Sequence, residues 1–314
     1  MKYSFIIPCY KSKDTIEKVI DEIKDTMKVE GCLEYETILI NDYPFDDTFE
    51  VIRHICENDC KVKGINLSKN FGQHSALMAG MNEARGEFIV CLDDDGQTPV
   101  KELNKFMQKL DQGYDVIFAK YTSKKHSLVR NFGSYINEVM ARHLLNKPKN
   151  LALMSFFVCR KYVVDEIINY KNAYPYMAGL ILRSCGKIDN VEIEHREREQ
   201  GKSGYTFKKL IALWLNGFTA FSVKPLRIAT VIGGVFSLIG FLYSIWIIVE
   251  KMINPEVVLG WSSVMAGILI IGGMILCVLG IIGEYIGRIY ISLNNSPQYV
   301  IKEKINLEDG VSKV

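Results

Sequence analysis

The sequence predicts an α/β domain with a mostly parallel sheet, followed by an amphipathic segment and a pair of membrane-spanning helices. Two observations support this prediction. In the N-terminal two thirds of the chain, short apolar runs alternate with stretches of helical periodicity, which is typical of parallel strands joined by crossover helices. Further along, residues 228–249 and 257–283 contain no charged side chain, and each run is long enough to cross a bilayer core, which takes about 20 apolar residues.

Five strands are predicted in the first domain, each from a short apolar run. They are Tyr3–Ile7, Thr37–Ile40, Gly64–Leu67, Phe88–Leu92 and Val116–Ala119. A helix is predicted between the first two strands because apolar residues recur at helical spacing from Ile16 to Met27. In open sheets of this kind ligands bind beyond the carboxyl ends of the strands, so the residues that follow each strand are candidate site residues.

The two uncharged runs are predicted to form a membrane hairpin with both ends in the cytoplasm. The connection between them, residues 250–256, carries Lys251 as its one basic residue. Basic residues flank the pair on its outer sides, with Lys208, Lys209, Lys224 and Arg227 before it and Arg288 and Lys302 after it. Because cytoplasmic loops carry the excess of Lys and Arg, this asymmetry places the connection outside the cytoplasm.

These features divide the chain into four parts. They are a cytoplasmic domain at 1–204, an amphipathic segment at 205–227, the hairpin at 228–287 with helices at about 228–249 and 258–283, and a cytoplasmic tail at 288–314. The amphipathic segment would lie in the membrane interface or pack against the soluble domain, and the sequence favours neither arrangement over the other.

The overall composition excludes some classes of function. The chain has 38 basic and 36 acidic residues and a formal net charge of +2, so its charge gives no reason to expect binding to nucleic acid. Anionic ligands would have to be met by local basic clusters. The eight cysteines form no Cys-x-x-Cys pair and are expected to be reduced cytosolic thiols rather than a zinc site.

Three consecutive carboxylates, Asp93, Asp94 and Asp95, follow the predicted strand Phe88–Leu92. Such a run is often a solvated turn, but carboxylates held together at a strand end need a cation or solvent to relieve their repulsion. Alternate side chains of an extended chain share a face, so Asp93 and Asp95 would point one way and Asp94 the other, with Gln97 near the first two. Their oxygens are the ligands that Mg²⁺ and Mn²⁺ prefer.

Several further motifs follow one another along the chain. They are Ile6–Tyr10, Asn41-Asp42 with Asp46 and Thr48, Ser68–His74 with Ala79-Gly80, Asp93–Pro99, Arg196–Tyr205, Phe221–Arg227 and Gly280–Arg288. In order and spacing they resemble the family 2 glycosyltransferases, specifically the membrane-anchored polyprenyl-phosphate glycosyltransferases, which include dolichol-phosphate mannose synthases and bacterial bactoprenol glucosyltransferases. The resemblance extends over nearly the whole chain.

The resemblance implies a GT-A fold, which is Rossmann-like, and a set of site residues. It implies nucleotide binding by Pro8, Tyr10, Asp42, Asn70 and Asp94. It implies a Mg²⁺ or Mn²⁺ cofactor on Asp93, Asp95 and Gln97, and catalytic roles for Asp93, Asp95, Arg198 and Ser203. Lys120, Arg130 and Ser134 resemble the positions that grip the lipid phosphate in dolichol-phosphate mannose synthases, whereas Lys124 and Lys125 are better read as a basic patch on anionic lipid.

The implied activity is inverting transfer of a sugar from a nucleotide diphosphate sugar to polyprenyl phosphate, undecaprenyl phosphate in a bacterium, at the cytoplasmic face of the inner membrane. The expected partners are the nucleotide sugar, the lipid phosphate and the membrane, with no nucleic acid, and a homo-oligomer is left open. A phosphate monoester has a second pKa of about 6 and is largely dianionic at neutral pH, so this acceptor needs no catalytic base.

Two alternatives stay open. One is a family 2 glycosyltransferase acting on a lipid or glycan hydroxyl, which would need a base to take the hydroxyl proton. The other is a catalytically silent membrane scaffold, against which the retained Asp93, Asp95 and Gln97 argue. The sugar is not identified by the sequence. Many relatives have Asp-Gly-Ser where this chain has Asp42-Tyr43-Pro44, so the nucleotide preference is also open.

Overall fold

The computed structural model describes residues 1–121, 147–194, 260–294 and 296–307, together with isolated positions between 231 and 253. The chain divides into two compact units, one formed by Met1–Ala212 with Asn295–Val314 and the other by Leu213–Asn294. The predicted amphipathic segment, residues 205–227, lies outside the described residues.

The first unit is built on a sheet to which the described residues contribute eight strands. They are β1 (Tyr3–Cys9), β2 (Tyr35–Asn41), β3 (Val62–Leu67), β4 (Phe88–Cys91), β5 (Val116–Tyr121), β6 (Phe157–Arg160), β7 (Ile188–Ile193) and β8 (Ile301–Ile305). Their order across the sheet is β7-β5-β6-β4-β1-β2-β3-β8. All five strands predicted from the sequence are confirmed, with ends that differ by no more than two residues.

Helices connect and cover these strands. They are α1 (Ile16–Val29), α2 (Thr48–Asn58), α3 (Gln73–Glu83), α4 (Leu103–Asp111), α5 (Lys161–Ile167) and α6 (Met177–Ser184). Strands β1, β2, β3 and β4 run parallel to their neighbours among these four, and α1, α2 and α3 are the crossovers between them. The apolar stripe that predicted α1 is its buried face, which consists of Ile16, Val19, Ile20, Ile23 and Met27.

Two antiparallel strands make the sheet mixed rather than purely parallel. Strand β6 lies between β4 and β5 and runs antiparallel to both. Strand β8 pairs antiparallel with β3 at the opposite edge. It is fixed there by ion pairs, since Arg53 donates to both carboxylate oxygens of Glu303 at 2.7 and 3.1 Å and Lys304 lies 2.7 Å from Glu83. The C-terminal segment therefore completes the sheet of the first unit.

The second unit contains a long helix, α7 (Trp261–Leu293). The described positions from Val231 to Ile253 are also helical. Among the residues described here, no helix has both the length and the apolar character needed to cross a bilayer. The two membrane spans predicted from the sequence remain a proposal.

A buried carboxylate links the parallel strands near their amino ends. The side chain of Glu36 in β2 is fully buried and accepts hydrogen bonds from Ser4, from Lys63 and, at 2.7 Å, from the backbone N–H of Arg85. Burial by itself would raise the pKa of Glu36, but the hydrogen bonds from Lys63, Ser4 and Arg85 outweigh it and lower this pKa. The carboxylate therefore stays ionised inside the sheet.

We expect Lys63→Met to lower the free energy of unfolding by about 3–5 kcal/mol at neutral pH, because it leaves the buried Glu36 carboxylate without its cation. Since the pKa of Glu36 is lowered on folding, its stabilisation is fully present above the ordinary pKa of 4.5 and is lost as the pH falls through the lowered value. Chemical unfolding of the purified chain at several pH values measures both effects.

Lys105→Met is the matched control, because Lys105 pairs with Glu102 and is half exposed. Equal losses of stability in the two variants would contradict the role given to the buried pair.

Candidate active site

The candidate site lies where the parallel strands end. Tyr10 follows β1, Asp42 follows β2, Asn70 lies in the loop after β3, and Asp93 begins the carboxylate run after β4. Because these four strands are parallel, their carboxyl ends share one edge of the sheet. The structure thus brings together side chains that are far apart in the sequence.

Asp94 ties the end of β4 to the loop after β1. One of its oxygens, Oδ2, accepts a hydrogen bond from the backbone N–H of Tyr10 at 2.9 Å and another from the hydroxyl of Ser12. Burial raises the pKa of Asp94, and the hydrogen bonds from Ser12 and Tyr10 oppose this change. Two residues that the resemblance assigns to nucleotide binding, Tyr10 and Asp94, are therefore in direct contact.

Asp93 turns to different neighbours, as alternation along an extended chain predicts. Its Oδ1 accepts a hydrogen bond from the side-chain amide of Gln73 at 2.9 Å, and its Oδ2 accepts one from the hydroxyl of Ser155. Burial raises the pKa of Asp93 to about 6, and repulsion by Asp95 and Asp94 adds to this effect. Among the described residues, no basic side chain is a main influence on the pKa of Asp93.

Asp95 and Gln97 form a tight local turn. The Oδ1 atom of Asp95 accepts a hydrogen bond from the backbone N–H of Gln97 at 3.1 Å, and Gly96 between them has a φ of 72°, which a glycine adopts without strain. Within the described ranges, no group of three or more His, Cys, Asp or Glu side chains is arranged as a metal cluster.

The carboxylate oxygens at this turn are nevertheless suitable ligands for a divalent cation. The pKa of Asp93 is raised chiefly by burial and further by the charges of Asp95 and Asp94, so these carboxylates repel one another, and their oxygens are hard ligands that suit Mg²⁺ or Mn²⁺. A cation held by Asp93 and Asp95 would relieve this repulsion.

Asp42 shapes the loop that carries Asn70. Its side chain is buried, and its two oxygens accept hydrogen bonds from the backbone N–H groups of Phe71 at 2.7 Å and Gly72 at 2.8 Å. Gly72 has a φ of 89°, a conformation that favours glycine. Burial raises the pKa of Asp42 to about 6, against the effect of these two hydrogen bonds.

The remaining predicted site residues have no described contact with the carboxylates after β4. Pro8 is buried within β1, one strand position from its end. Lys120 in β5 forms an ion pair with Glu192 at 2.9 Å, and no described contact joins it to the carboxylates after β4. The next residue in β5, Tyr121, lies near Asp93 and Asp95. Burial raises the pKa of Tyr121 to about 12, with further contributions from the charges of Asp93 and Asp95. Arg130, Ser134, Arg198 and Ser203 lie outside the described residues.

Sequence reasoning missed Ser155 and Tyr121 and gave Gln73 no role. Ser155 precedes a strand, whereas the rule for open parallel sheets points to residues that follow strands. Since β6 is antiparallel to β4, with Phe157 opposite Cys91, the residues just before β6 lie at the carboxyl end of β4. Gln73 belongs to the motif Ser68–His74, and its position at the start of α3 brings its side-chain amide to Asp93.

The chain matches known protein families and relatives. Residues 4–168 match the model of glycosyl transferase family 2, and residues 224–289 match the GtrB C-terminal hairpin. The chain is 31% identical to the SfII prophage-derived bactoprenol glucosyl transferase of Shigella flexneri, over 96% of this chain and 98% of that protein. It is 29% identical to the undecaprenyl-phosphate 4-deoxy-4-formamido-L-arabinose transferase of Photorhabdus laumondii, over 97% and 94%.

A solved structure shares the fold. Glucosyl-3-phosphoglycerate synthase from Mycobacterium tuberculosis, crystallised with Mn²⁺, UDP-glucose and phosphoglyceric acid, superposes with a TM-score of 0.50 at 17% identity, covering 68% of this chain and 76% of that chain. The family model covers more than half of the chain, and the carboxylate run of the site lies within it. The chain belongs to glycosyl transferase family 2.

Proposed function

We propose that this glycosyltransferase moves a sugar from a nucleotide diphosphate sugar to polyprenyl phosphate, with inversion, at the cytoplasmic face of a bacterial membrane. The observation that carries the proposal is the run Asp93–Asp95 at the end of β4, held against the loop after β1 in a family 2 domain. The relatives named above act, by their names, on bactoprenol and undecaprenyl phosphate, and they align with nearly the whole chain.

The proposal gives the described carboxylates separate tasks. Asp94 positions Tyr10 beside the nucleotide, while Asp95, with Asp93 and Gln97, would hold Mg²⁺ or Mn²⁺ against the diphosphate of the donor. When bound, such a cation would neutralise part of the negative charge that develops on the leaving diphosphate. Gln73 and Ser155 fix the orientation of Asp93, so little reorganisation is needed when the donor binds.

The lipid phosphate needs a basic group that is not already neutralised. Lys120 is paired with Glu192, so a phosphate would have to compete with that carboxylate for it. The sequence predicts a helix from Leu128 to Leu145, in which Arg130 and Ser134 are four residues apart and share a face. We therefore place the main contact on Arg130, with Ser134 beside it and Lys120 in a lesser role. The acceptor phosphate is its own nucleophile, because it is largely dianionic at neutral pH.

The membrane hairpin is supported by the path of the chain. Strand β7 ends at Ile193 and strand β8 begins at Ile301, and both belong to one sheet. The segment between them leaves and re-enters the same domain, so it must cross a bilayer an even number of times. In the part of α7 that belongs to the proposed span 258–283, six described large apolar side chains are more than half exposed: Val264, Ile268, Ile271, Ile275, Leu276 and Leu279. We propose that lipid covers them and that residues 228–249 and 258–283 span the inner membrane.

We expect Asp95→Ala to reduce sugar transfer by about 100-fold or more, because it removes an oxygen ligand that neutralises the leaving group through the cation. The melting temperature should hardly change, since the side chain fills no core volume. Transfer of label from nucleotide sugar to polyprenyl phosphate, measured while Mg²⁺ or Mn²⁺ is varied, tests this. Asp111→Ala, an exposed carboxylate at the end of α4, is the control. Near-normal turnover of Asp95→Ala at limiting metal would refute the assignment.

We expect a cysteine placed at Asn254 to react with an impermeant thiol reagent in intact cells, because the proposed topology puts residues 251–256 outside the cytoplasm. The native Cys60 is exposed on the cytoplasmic domain and serves as an internal control. It should react only after lysis, and mass spectrometry distinguishes the two labelled peptides. Labelling of residue 254 only after lysis would contradict the hairpin.

We expect Arg130→Ala to raise the KM for polyprenyl phosphate or to lower turnover, while the KM for the nucleotide sugar stays nearly constant. Arg130→Lys should recover part of the loss, since an ammonium cannot reproduce the two-pronged contact of a guanidinium with phosphate. Lys124→Ala, in the neighbouring basic patch, is the control. Kinetics with each substrate varied separately decide the matter: a defect confined to the nucleotide sugar would move Arg130 to the donor site.

A further inference from the structure

A short segment of the chain lies between α7 and β8, and we call it the return strap: residues 296–300. It belongs to the first unit and contacts two loops of that unit. The backbone carbonyl of Val300 accepts a hydrogen bond from the backbone N–H of Ser68 at 2.9 Å, which joins the strap to the loop after β3. The side chain of Gln298 joins the strap to the loop between α5 and α6, residues 168–176. The strap therefore links two loops that are far apart in the sequence.

The contact of Gln298 uses both protons of its side-chain amide. The Nε2 atom donates to the backbone carbonyl of Tyr170 at 2.6 Å and to that of Asn172 at 2.8 Å, and the side chain is buried. Both partners are acceptors, so an ionised carboxylate of the same shape could form neither bond. Asn172 and Tyr174 are exposed, and Gln298 thus attaches an outer loop to the interior.

The two loops meet again on the side of the candidate site. Tyr176 ends the loop between α5 and α6, and its ring packs edge to face against the ring of His74, with centroids 5.3 Å apart and planes at 85°. His74 lies next to Gln73 at the start of α3, and Gln73 donates to Asp93 at 2.9 Å. The Nδ1 atom of His74 is buried and has no hydrogen-bond partner among the residues that the structure describes. Packing against Tyr176 is therefore one of the contacts that fix this ring.

The strap and the two loops form a closed circuit of contacts. The loop of residues 168–176 is held by Gln298 near its middle and rests against His74 at its end. The loop that begins at Ser68 is held by the strap at its start and leads into α3. Contacts of this outer kind lock the residues that orient a metal ligand, and their loss reduces metal affinity or activity.

We propose that Gln298 is a positioning residue for sugar transfer, because it fixes the loop whose far end supports Gln73 against Asp93. The inference rests on the proposed function, in which Asp93 helps to hold the cation. It gives the return strap a task besides leading into β8: the strap sets the geometry of the carboxylate site.

Two substitutions and a matched control test this role. Gln298→Glu keeps the shape of the side chain and replaces both donors by acceptors, and Gln298→Met removes the donors without adding a charge. Asn306→Asp is the control, because the amide of Asn306 likewise donates to two backbone carbonyls, those of Cys56 at 2.7 Å and Val62 at 2.8 Å. Val62 begins β3, so this contact lies at the end of the strand opposite to Ser68.

Hydrogen–deuterium exchange of the purified full chain, without metal or substrate, tests the link itself. Both Gln298 variants should speed exchange by about 5-fold, the effect of losing roughly one hydrogen bond, in residues 168–176 and also in residues 72–76 at the start of α3. Asn306→Asp should leave both segments at the wild-type rates.

Kinetics of sugar transfer test the consequence. In both Gln298 variants, the concentration of Mg²⁺ or Mn²⁺ that gives half-maximal turnover should rise by about 3-fold to about 10-fold, less than the roughly 10- to 100-fold loss caused by removing a direct partner of a metal ligand. The KM for polyprenyl phosphate should stay constant, and saturating metal should restore most of the rate. A purely structural role would lower the turnover without moving the metal dependence.

Wild-type metal dependence in both Gln298 variants would overturn the proposal. So would faster exchange confined to residues 168–176, or equal effects of Asn306→Asp. A wild type that transfers no sugar would refute the proposed function, and this role of Gln298 with it. Normal transfer by the wild type and by both variants at limiting metal would refute the role of Gln298 alone.

Discussion

The concentration of negative charge at the end of β4 is the constraint on which the site depends. Asp93, Asp94 and Asp95 are consecutive and partly buried, and their mutual repulsion contributes to the raised pKa of Asp93. The fold separates the first two by directing them to different partners. Asp94 is bound by the loop after β1, and Asp93 by α3 and the residue before β6. Each carboxylate thereby adds a side-chain link between neighbouring elements at the edge of the sheet, and the repulsion that remains suits a cation.

Much of this arrangement can be predicted from the sequence. Apolar runs identify β1 to β5 because buried parallel strands are almost continuously apolar, and the helical stripe identifies α1. The polar residues after those strands then identify Tyr10, Asp42 and the carboxylate run, since parallel strands end at one edge. These inferences use only local patterns and one general rule about open sheets.

What could not be predicted depends on strands that run the other way. Ser155 reaches Asp93 because β6 is antiparallel to β4, and a short apolar run carries no sign of its direction. Strand β8, Ile301–Ile305, has three consecutive charged residues between two isoleucines, and it resembles a solvated tail until its partner β3 is known. The pairing of Lys120 with Glu192 depends on a different feature, the adjacency of the parallel strands β5 and β7, which are far apart in the chain.

The position of β8 has a consequence for the order of events during synthesis. The outer edge of β3 is covered by a strand from residues 301–305, so it stays open until everything between Leu67 and Ile301 has left the ribosome. An uncovered edge strand is a template for pairing with other chains. The apolar α7 emerges before β8, so an inserted hairpin would hold the nascent domain at the membrane while that edge is still exposed. On this order of events, the last strand would close the sheet only after the hairpin had anchored the domain.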